Sequence, residues 1–139
     1  MRTIIAVLLL ALSVAVTGSA KAADRPVSHA PLRAADCIDT SNINEWKIVD
    51  ERTAIVRTGP KRYLVTLKSS CPQLSHPPGL MFNTRPSGGA NQGRICGDIG
   101  ETVRTRGQPA CPIESVSIID KAKFSQLSED AKRYANKQH

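Results

Sequence analysis

Aromatic residues are scarce in this chain of 139 residues, which holds one tryptophan, two tyrosines and two phenylalanines. Proteins that bind single-stranded nucleic acid stack the bases on aromatic side chains placed among basic ones. None of the aromatic residues here is interleaved with the basic residues in that way. We therefore expect no nucleic-acid partner, although the formal net charge is +7.

Long apolar runs are also missing, apart from one at the N-terminus that covers residues 4–16. It follows Arg2 and precedes the small-residue sequence Ala20-Lys21-Ala22, an order typical of a secretory signal peptide, and it is too short to remain as a membrane-spanning helix. We predict a signal peptide over 1–22, cleavage near Ala22, and a periplasmic or secreted mature chain without a transmembrane segment. Loss of Arg2 and Lys21 lowers the formal charge from +7 to +5.

Cysteine occurs only after the predicted cleavage site, at Cys37, Cys71, Cys96 and Cys111. An even number of cysteines in an exported chain predicts two disulfides. The spacing lacks both the C-x-x-C of a redox pair and the close Cys or His doublets of zinc sites, so we expect no metal and no cofactor. Sequence leaves three pairings open. We favour Cys71 with Cys96, which would close a predicted hairpin, and Cys37 with Cys111, which would tie the start of the domain to its last strand.

The composition after residue 37 predicts a mainly β domain, because short segments rich in β-branched and aromatic residues alternate with turn residues. In one of these segments Tyr63, Val65 and Leu67 share a face that should point into the core. We expect a small antiparallel barrel-like or curved sheet of about six strands. The predicted strand segments cover residues 43–49, 53–58, 62–68, 80–84, 92–96, 99–104 and 112–119.

The segments at 80–84 and 92–96 bracket a glycine-rich stretch and predict a hairpin with a flexible tip. Residues 23–36 contain two prolines and no apolar periodicity, which predicts a mobile leader. The remaining residues, 37–139, then form a single domain.

A C-terminal amphipathic helix is predicted after Asp120, a candidate N-cap residue. Apolar residues recur at helical spacing and should pack across the sheet. Ser128-Glu129-Asp130 resembles a second N-terminus, which allows two short helices instead of one. The apolar positions are Phe124, Leu127, Ala131 and Tyr134.

The basic residues are the main candidates for a binding role. Grouped on one face, they would hold an anionic polymer or the phosphates of a bacterial envelope. The alternative is that these charges only solvate strand faces and protect edge strands. The candidates for anion binding are Arg57, Lys61, Arg62, Arg94, Arg104 and Arg106.

The cysteines and their neighbours carry a resemblance to a family of small exported bacterial proteins of unknown function. The resemblance covers residues 37–119 and implies no activity, so no functional residue is carried over from it. The matching residues are Cys37-Ile38, Cys71-Pro72 with Leu74, Ile95-Cys96 with Asp98, and Cys111.

We therefore expect a monomeric, non-enzymatic binding or envelope-associated module, with no catalytic residue. Its partner would be an anionic envelope component or another exported protein. The alternative is a small exported hydrolase, or an inhibitor of one, that uses His76 and Asp98 or the 85–94 loop. Asp98 would then work beside Glu101 or Asp50 as a second carboxylate, although an aspartate in a turn more commonly bonds backbone amides.

Overall fold

The computed structural model describes residues 29–75, 79–84 and 93–139. The predicted signal peptide, residues 23–28, His76 and residues 85–92 lie outside the described residues. Within the described ranges, the helices are too short or too polar to cross a membrane.

Six strands form one antiparallel sheet in the order β2-β3-β4-β8-β7-β5, and β1 pairs with β6 in a separate two-stranded ribbon. The larger sheet curls into a half-barrel, which confirms the predicted mainly β fold with a C-terminal helix. The strands are β1 Ile38–Asp39, β2 Glu45–Asp50, β3 Thr53–Thr58, β4 Lys61–Leu67, β5 Leu80–Asn83, β6 Arg94–Ile95, β7 Thr102–Thr105 and β8 Cys111–Ile118, and the helix is α1 Lys121–Lys137. Short 3-10 helices lie at Ala34–Asp36, Thr40–Asn42 and Pro72–Ser75.

The face of the sheet opposite α1 packs into the larger of two apolar cores. On β4, Tyr63, Val65 and Leu67 are buried in this core, as their alternation predicts. Ile113 and Val116 of β8 pack against them. The register between β4 and β8 shifts at Thr66/Leu67, and another shift interrupts β2 and β3. Because such bulges increase twist and bending, they favour the curl of the sheet.

A second, smaller core lies between the sheet and α1, where Phe124 and Ala131 pack against Val49 and Ile55. The Lys123 amide donates to Asp120 Oδ1 at 2.7 Å, so the predicted N-cap is confirmed.

The predicted C-terminal helix is confirmed as one helix, and the alternative of two short helices is wrong, because α1 runs through residues 128–130. Ser128 lies on the buried face of the helix. The two acidic residues after it form ion pairs with basic side chains three residues further along the helix. Glu129 accepts a hydrogen bond from Lys132 at 2.7 Å, and Asp130 pairs with Arg133. These i,i+3 ion pairs support a continuous helix instead of a new N-terminus.

The predicted hairpin between residues 80–84 and 92–96 is also wrong. β5 pairs with β7, whereas β6 pairs with β1 through Ile38 opposite Ile95. Both isoleucines are fully buried, so their burial in the main core outweighs pairing between neighbours in sequence.

The two predicted disulfides are present, but the favoured pairing is wrong. The bonds join Cys37 to Cys96 and Cys71 to Cys111. Pairing of β1 with β6 brings Cys37 beside Cys96, with 4.5 Å between their Cα atoms. Cys71 follows β4 and Cys111 begins β8, and these two strands are neighbours in the sheet.

The last residues of the predicted leader contact the domain. The Leu32 amide donates to the Cys96 carbonyl at 2.8 Å, and the Leu32 side chain packs against the main core. Residues 34–36 form a 3-10 helix. Packing contacts with the domain therefore begin before Cys37.

Candidate binding site

The six predicted anion-binding residues do not form one face. Arg57 and Arg62 face each other across β3 and β4 on the side that carries α1. Lys61 and Arg94 line a cavity at one end of the sheet. Arg104 lies on β7, and the exposed Arg106 follows that strand. The sheet and its turns thus separate the candidates into three groups.

The cavity at the β3–β4 turn has a volume of about 510 Å³. Its wall comes from the 3-10 helix Ala34–Asp36, from the segment 37–44, from the turn 58–61 and from β6. Pockets of this volume are common for small-molecule sites. Below, we call it the turn cavity.

Lys61 and Arg94 donate hydrogen bonds to neighbouring backbone carbonyls at the wall of the turn cavity. Lys61 Nζ donates to the Ala35 carbonyl at 2.6 Å and to Asp36 Oδ1 at 3.2 Å. Arg94 Nη1 donates to the Ala34 carbonyl at 3.2 Å. An ammonium has three N–H donors and a guanidinium has five. Each cation therefore keeps donors beyond those used within the described part of the chain.

Asp39 places a carboxylate on the same wall, directly opposite Arg94 in the β1–β6 ribbon. The Ser41 hydroxyl and then the Ser41 amide hold the pKa of Asp39 below its usual value, and Asn42 and the charge of Arg94 act in the same direction. Asp39 is therefore ionised at neutral pH. Each cation at this site therefore has a carboxylate beside it: Asp36 pairs with Lys61, and Asp39 lies opposite Arg94.

Neutral polar side chains lie on the same wall. Asn44 Oδ1 accepts the Gly59 amide at 2.5 Å, which fixes the β3–β4 turn, and Gly59 has a positive φ of 54° that favours glycine. Asn44 and Thr58 both line the cavity. Our sequence interpretation missed Asp39, Asn42, Asn44 and Thr58, because no sequence pattern indicates that residues 39–44 fold against the β3–β4 turn.

Arg57 and Arg62 each lie against another side chain on the helix side of the sheet. Arg57 Nε lies 3.0 Å from Glu45 Oε2. The Arg62 guanidinium carbon lies 6.0 Å from the centre of the Phe124 ring, a distance that allows a cation–π contact. Arg57 thus pairs with Glu45 of β2, and Arg62 lies against Phe124 of α1.

Asp98 and Glu101 do come together, as the hydrolase alternative requires, but Glu101 is only 2% exposed. Its Oε2 atom accepts the Gly97 amide at 2.7 Å and the Asp98 amide at 3.1 Å, and Oε1 accepts the Cys96 amide at 3.0 Å. Burial raises the pKa of the Glu101 carboxyl, and the hydrogen bonds from these backbone amides oppose that rise. The carboxylate is thus committed to the turn after Cys96.

Cys96 lies beside these two carboxyl groups, yet its sulfur is bonded to Cys37. A metal-binding cysteine uses a free thiolate. The cluster of Cys96, Asp98 and Glu101 is therefore explained by the disulfide and by the backbone bonds of Glu101.

The fold and its disulfides define a small cross-linked half-barrel with a cavity at one end that is lined by both apolar and charged residues. The chain belongs to the family of unknown function DUF6491, whose model matches residues 1–135. This match confirms a family of unknown function and does not address the four-cysteine pattern. No curated protein and no solved structure matches the chain.

Proposed function

We propose that this chain is a non-enzymatic binding module that acts outside the cytoplasm and holds an anionic group of an envelope component in the turn cavity. The observation that carries this proposal is the convergence of Lys61 and Arg94 on one cavity wall. Charge-assisted hydrogen bonds from such side chains are the strong contacts by which proteins bind carboxylates and phosphates.

The two disulfides support the compartment, because disulfides persist outside the reducing cytoplasm. The predicted signal peptide agrees with that placement.

The hydrolase alternative has less support. It depends on His76 and on the 85–94 loop, which lie wholly or mainly outside the described residues. It also depends on Asp98, whose neighbouring carboxylate Glu101 is buried and bonded to backbone amides. Nothing in the described ranges favours hydrolysis over binding.

Retention of the mature protein on an immobilised anionic polysaccharide, eluted by a salt gradient, tests the proposal. The site variant carries Lys61→Gln and Arg94→Gln, which remove both charges but keep donors for the Ala35 and Ala34 carbonyls. The control carries Arg104→Gln and Arg106→Gln, which remove the same charge away from the cavity. Thermal unfolding of each variant verifies that the fold is intact.

We expect the site variant to elute at clearly lower salt than the wild type, and the control to elute near the wild type. If both variants elute at an equally lowered salt concentration, retention depends only on net charge, which contradicts a site at the cavity. Failure of the wild type to bind at low salt would overturn the proposal altogether.

A further inference from the structure

We infer that the turn cavity recognises a saccharide unit that carries one carboxylate, such as a uronic acid. This inference rests on the proposed function and adds the chemical class of the ligand. It follows from the cations, the carboxylate and the neutral polar groups that share one cavity wall.

The charges of the wall disfavour a dense polyanion. Asp39 is ionised and lies opposite Arg94, and Asp36 binds Lys61. A ligand with several negative charges would meet these carboxylates as well as the cations, and like charges brought together in a recognition site oppose binding. A ligand with a single negative charge can contact Lys61 and Arg94 and still leave room for neutral groups near Asp39.

Asp39 can accept one more hydrogen bond, such as one from a hydroxyl group. Its Oδ1 accepts the amide and the hydroxyl of Ser41, and its Oδ2 accepts Asn42 Nδ2 at 2.8 Å. A carboxylate offers about four acceptor positions. One position on Asp39 is therefore left for a donor, and a sugar hydroxyl supplies it without adding charge.

Asn44 and Thr58 suit the other hydroxyls of a sugar. Asn44 lines the cavity and uses its oxygen on the Gly59 amide, which leaves its NH₂ group as a donor. The Thr58 hydroxyl both donates and accepts. Anion, donor and acceptor positions in a cavity of about 510 Å³ match a carboxylated sugar better than a simple anion.

Three small probes separate the parts of this ligand: galacturonate, galactose, which lacks the carboxylate, and acetate, which lacks the hydroxyls. Dissociation constants come from amide chemical shifts of the labelled mature protein at constant ionic strength. We expect galacturonate to bind about tenfold more tightly than either acetate or galactose, because one charge-assisted bond or two neutral ones make a difference of that size.

Asp39→Asn provides a readout that a merely structural role would not give. It should strengthen acetate, weaken galactose and so reduce the preference for galacturonate over acetate, because it removes the repelling charge and replaces a charged acceptor with a neutral amide oxygen. Asp130→Asn is the matched control, since Asp130 lies on α1 and pairs with Arg133 there. The control should leave all three constants unchanged.

Equal affinities for acetate and galacturonate would overturn the saccharide inference but leave the anion proposal standing. Equal affinities for galactose and galacturonate would overturn both, because the cations would then contribute nothing. If none of the three probes binds, the saccharide inference is wrong, and polymer retention alone decides the proposed function.

Discussion

A single buried side chain, Glu101, satisfies the backbone of the turn that follows Cys96. Gly97 in this turn has a φ of +88°, and a Cβ there would lie 2.9 Å from the Val116 amide nitrogen. The backbone of the turn at Gly97 therefore packs directly against β8. Because Cys96 and Gly97 are buried there, their amides donate to the carboxylate of Glu101.

Replacing Glu101 with alanine should lower the free energy of unfolding by about 3 kcal/mol or more, since each buried amide left without a partner costs about 1–3 kcal/mol. Glu101→Gln keeps one carboxamide oxygen for the Gly97 and Asp98 amides and should cost clearly less. Denaturant unfolding of both variants measures the difference. Similar stability of Glu101→Ala and wild type would show that the turn does not depend on this carboxylate.

The pH dependence of stability should also report on Glu101. Burial raises the pKa of its carboxyl, so the folded state binds the proton more tightly than the unfolded state. The stability gained from this raised pKa is present below the ordinary pKa of glutamate. It is lost as the pH rises through the pKa of Glu101 in the folded state. The advantage of wild type over Glu101→Gln should therefore be larger at about pH 4 than at about pH 7. A pH-independent difference between the two proteins would contradict this.

At this scale, sequence predicts side-chain direction where alternation is strong, as on β4, where Tyr63, Val65 and Leu67 are buried as expected. It does not predict Glu101, which alternates with Thr102 like any strand residue. The burial of Glu101 depends on the amides of a turn earlier in the chain, and no local pattern indicates that contact.

Among the elements, α1 contains one buried polar group without a partner. Ser128 is 7% exposed, and its hydroxyl has no hydrogen-bond partner within the described residues. A buried hydroxyl without a partner is unfavourable. The helix tolerates it because Phe124 and Ala131 on the same face pack against the sheet.

Ser128→Ala should leave stability unchanged or raise it by about 1 kcal/mol, from removal of the unpartnered hydroxyl and from the better helix propensity of alanine. Ser125→Ala, at an exposed position of the same helix, gives the propensity effect alone. Thermal unfolding of the two variants separates the contributions. A Ser128→Ala variant less stable than Ser125→Ala would mean that the hydroxyl has a partner after all.

The elements that sequence predicts well are those long enough to show a period. Strands β2, β3, β4 and β8 and helix α1 all lie near their predicted positions. β1 and β6 have two residues each, too few for alternation to appear. Their pairing determines both the disulfide partner of Cys37 and the position of Arg94, so errors at this scale carried through to the disulfides and the site.

For the whole molecule, the disulfides interlock instead of nesting. The loop closed by Cys37 and Cys96 contains Cys71, and the loop closed by Cys71 and Cys111 contains Cys96. The first bond ties the β1–β6 ribbon together, and the second ties the end of β4 to the start of β8. Each bond should contribute about 4 kcal/mol by restricting the unfolded chain.

Proteolysis of the protein under non-reducing conditions, followed by mass spectrometry, should recover peptides linked through Cys37–Cys96 and Cys71–Cys111. Alkylation before digestion should find no free thiol. Recovery of Cys71 linked to Cys96 would contradict the pairing of β1 with β6, and with it the arrangement of the turn cavity.

The most direct test of the account is to locate the bound anion on the folded chain. Amide chemical-shift changes are followed on the labelled protein lacking residues 1–22 while galacturonate is added. The account predicts that the largest changes fall around the turn cavity, at Ala35, Asp39, Gly59, Lys61 and Arg94. Changes centred instead on Arg104 and Arg106, or spread evenly over every basic residue, would contradict a binding site at this cavity.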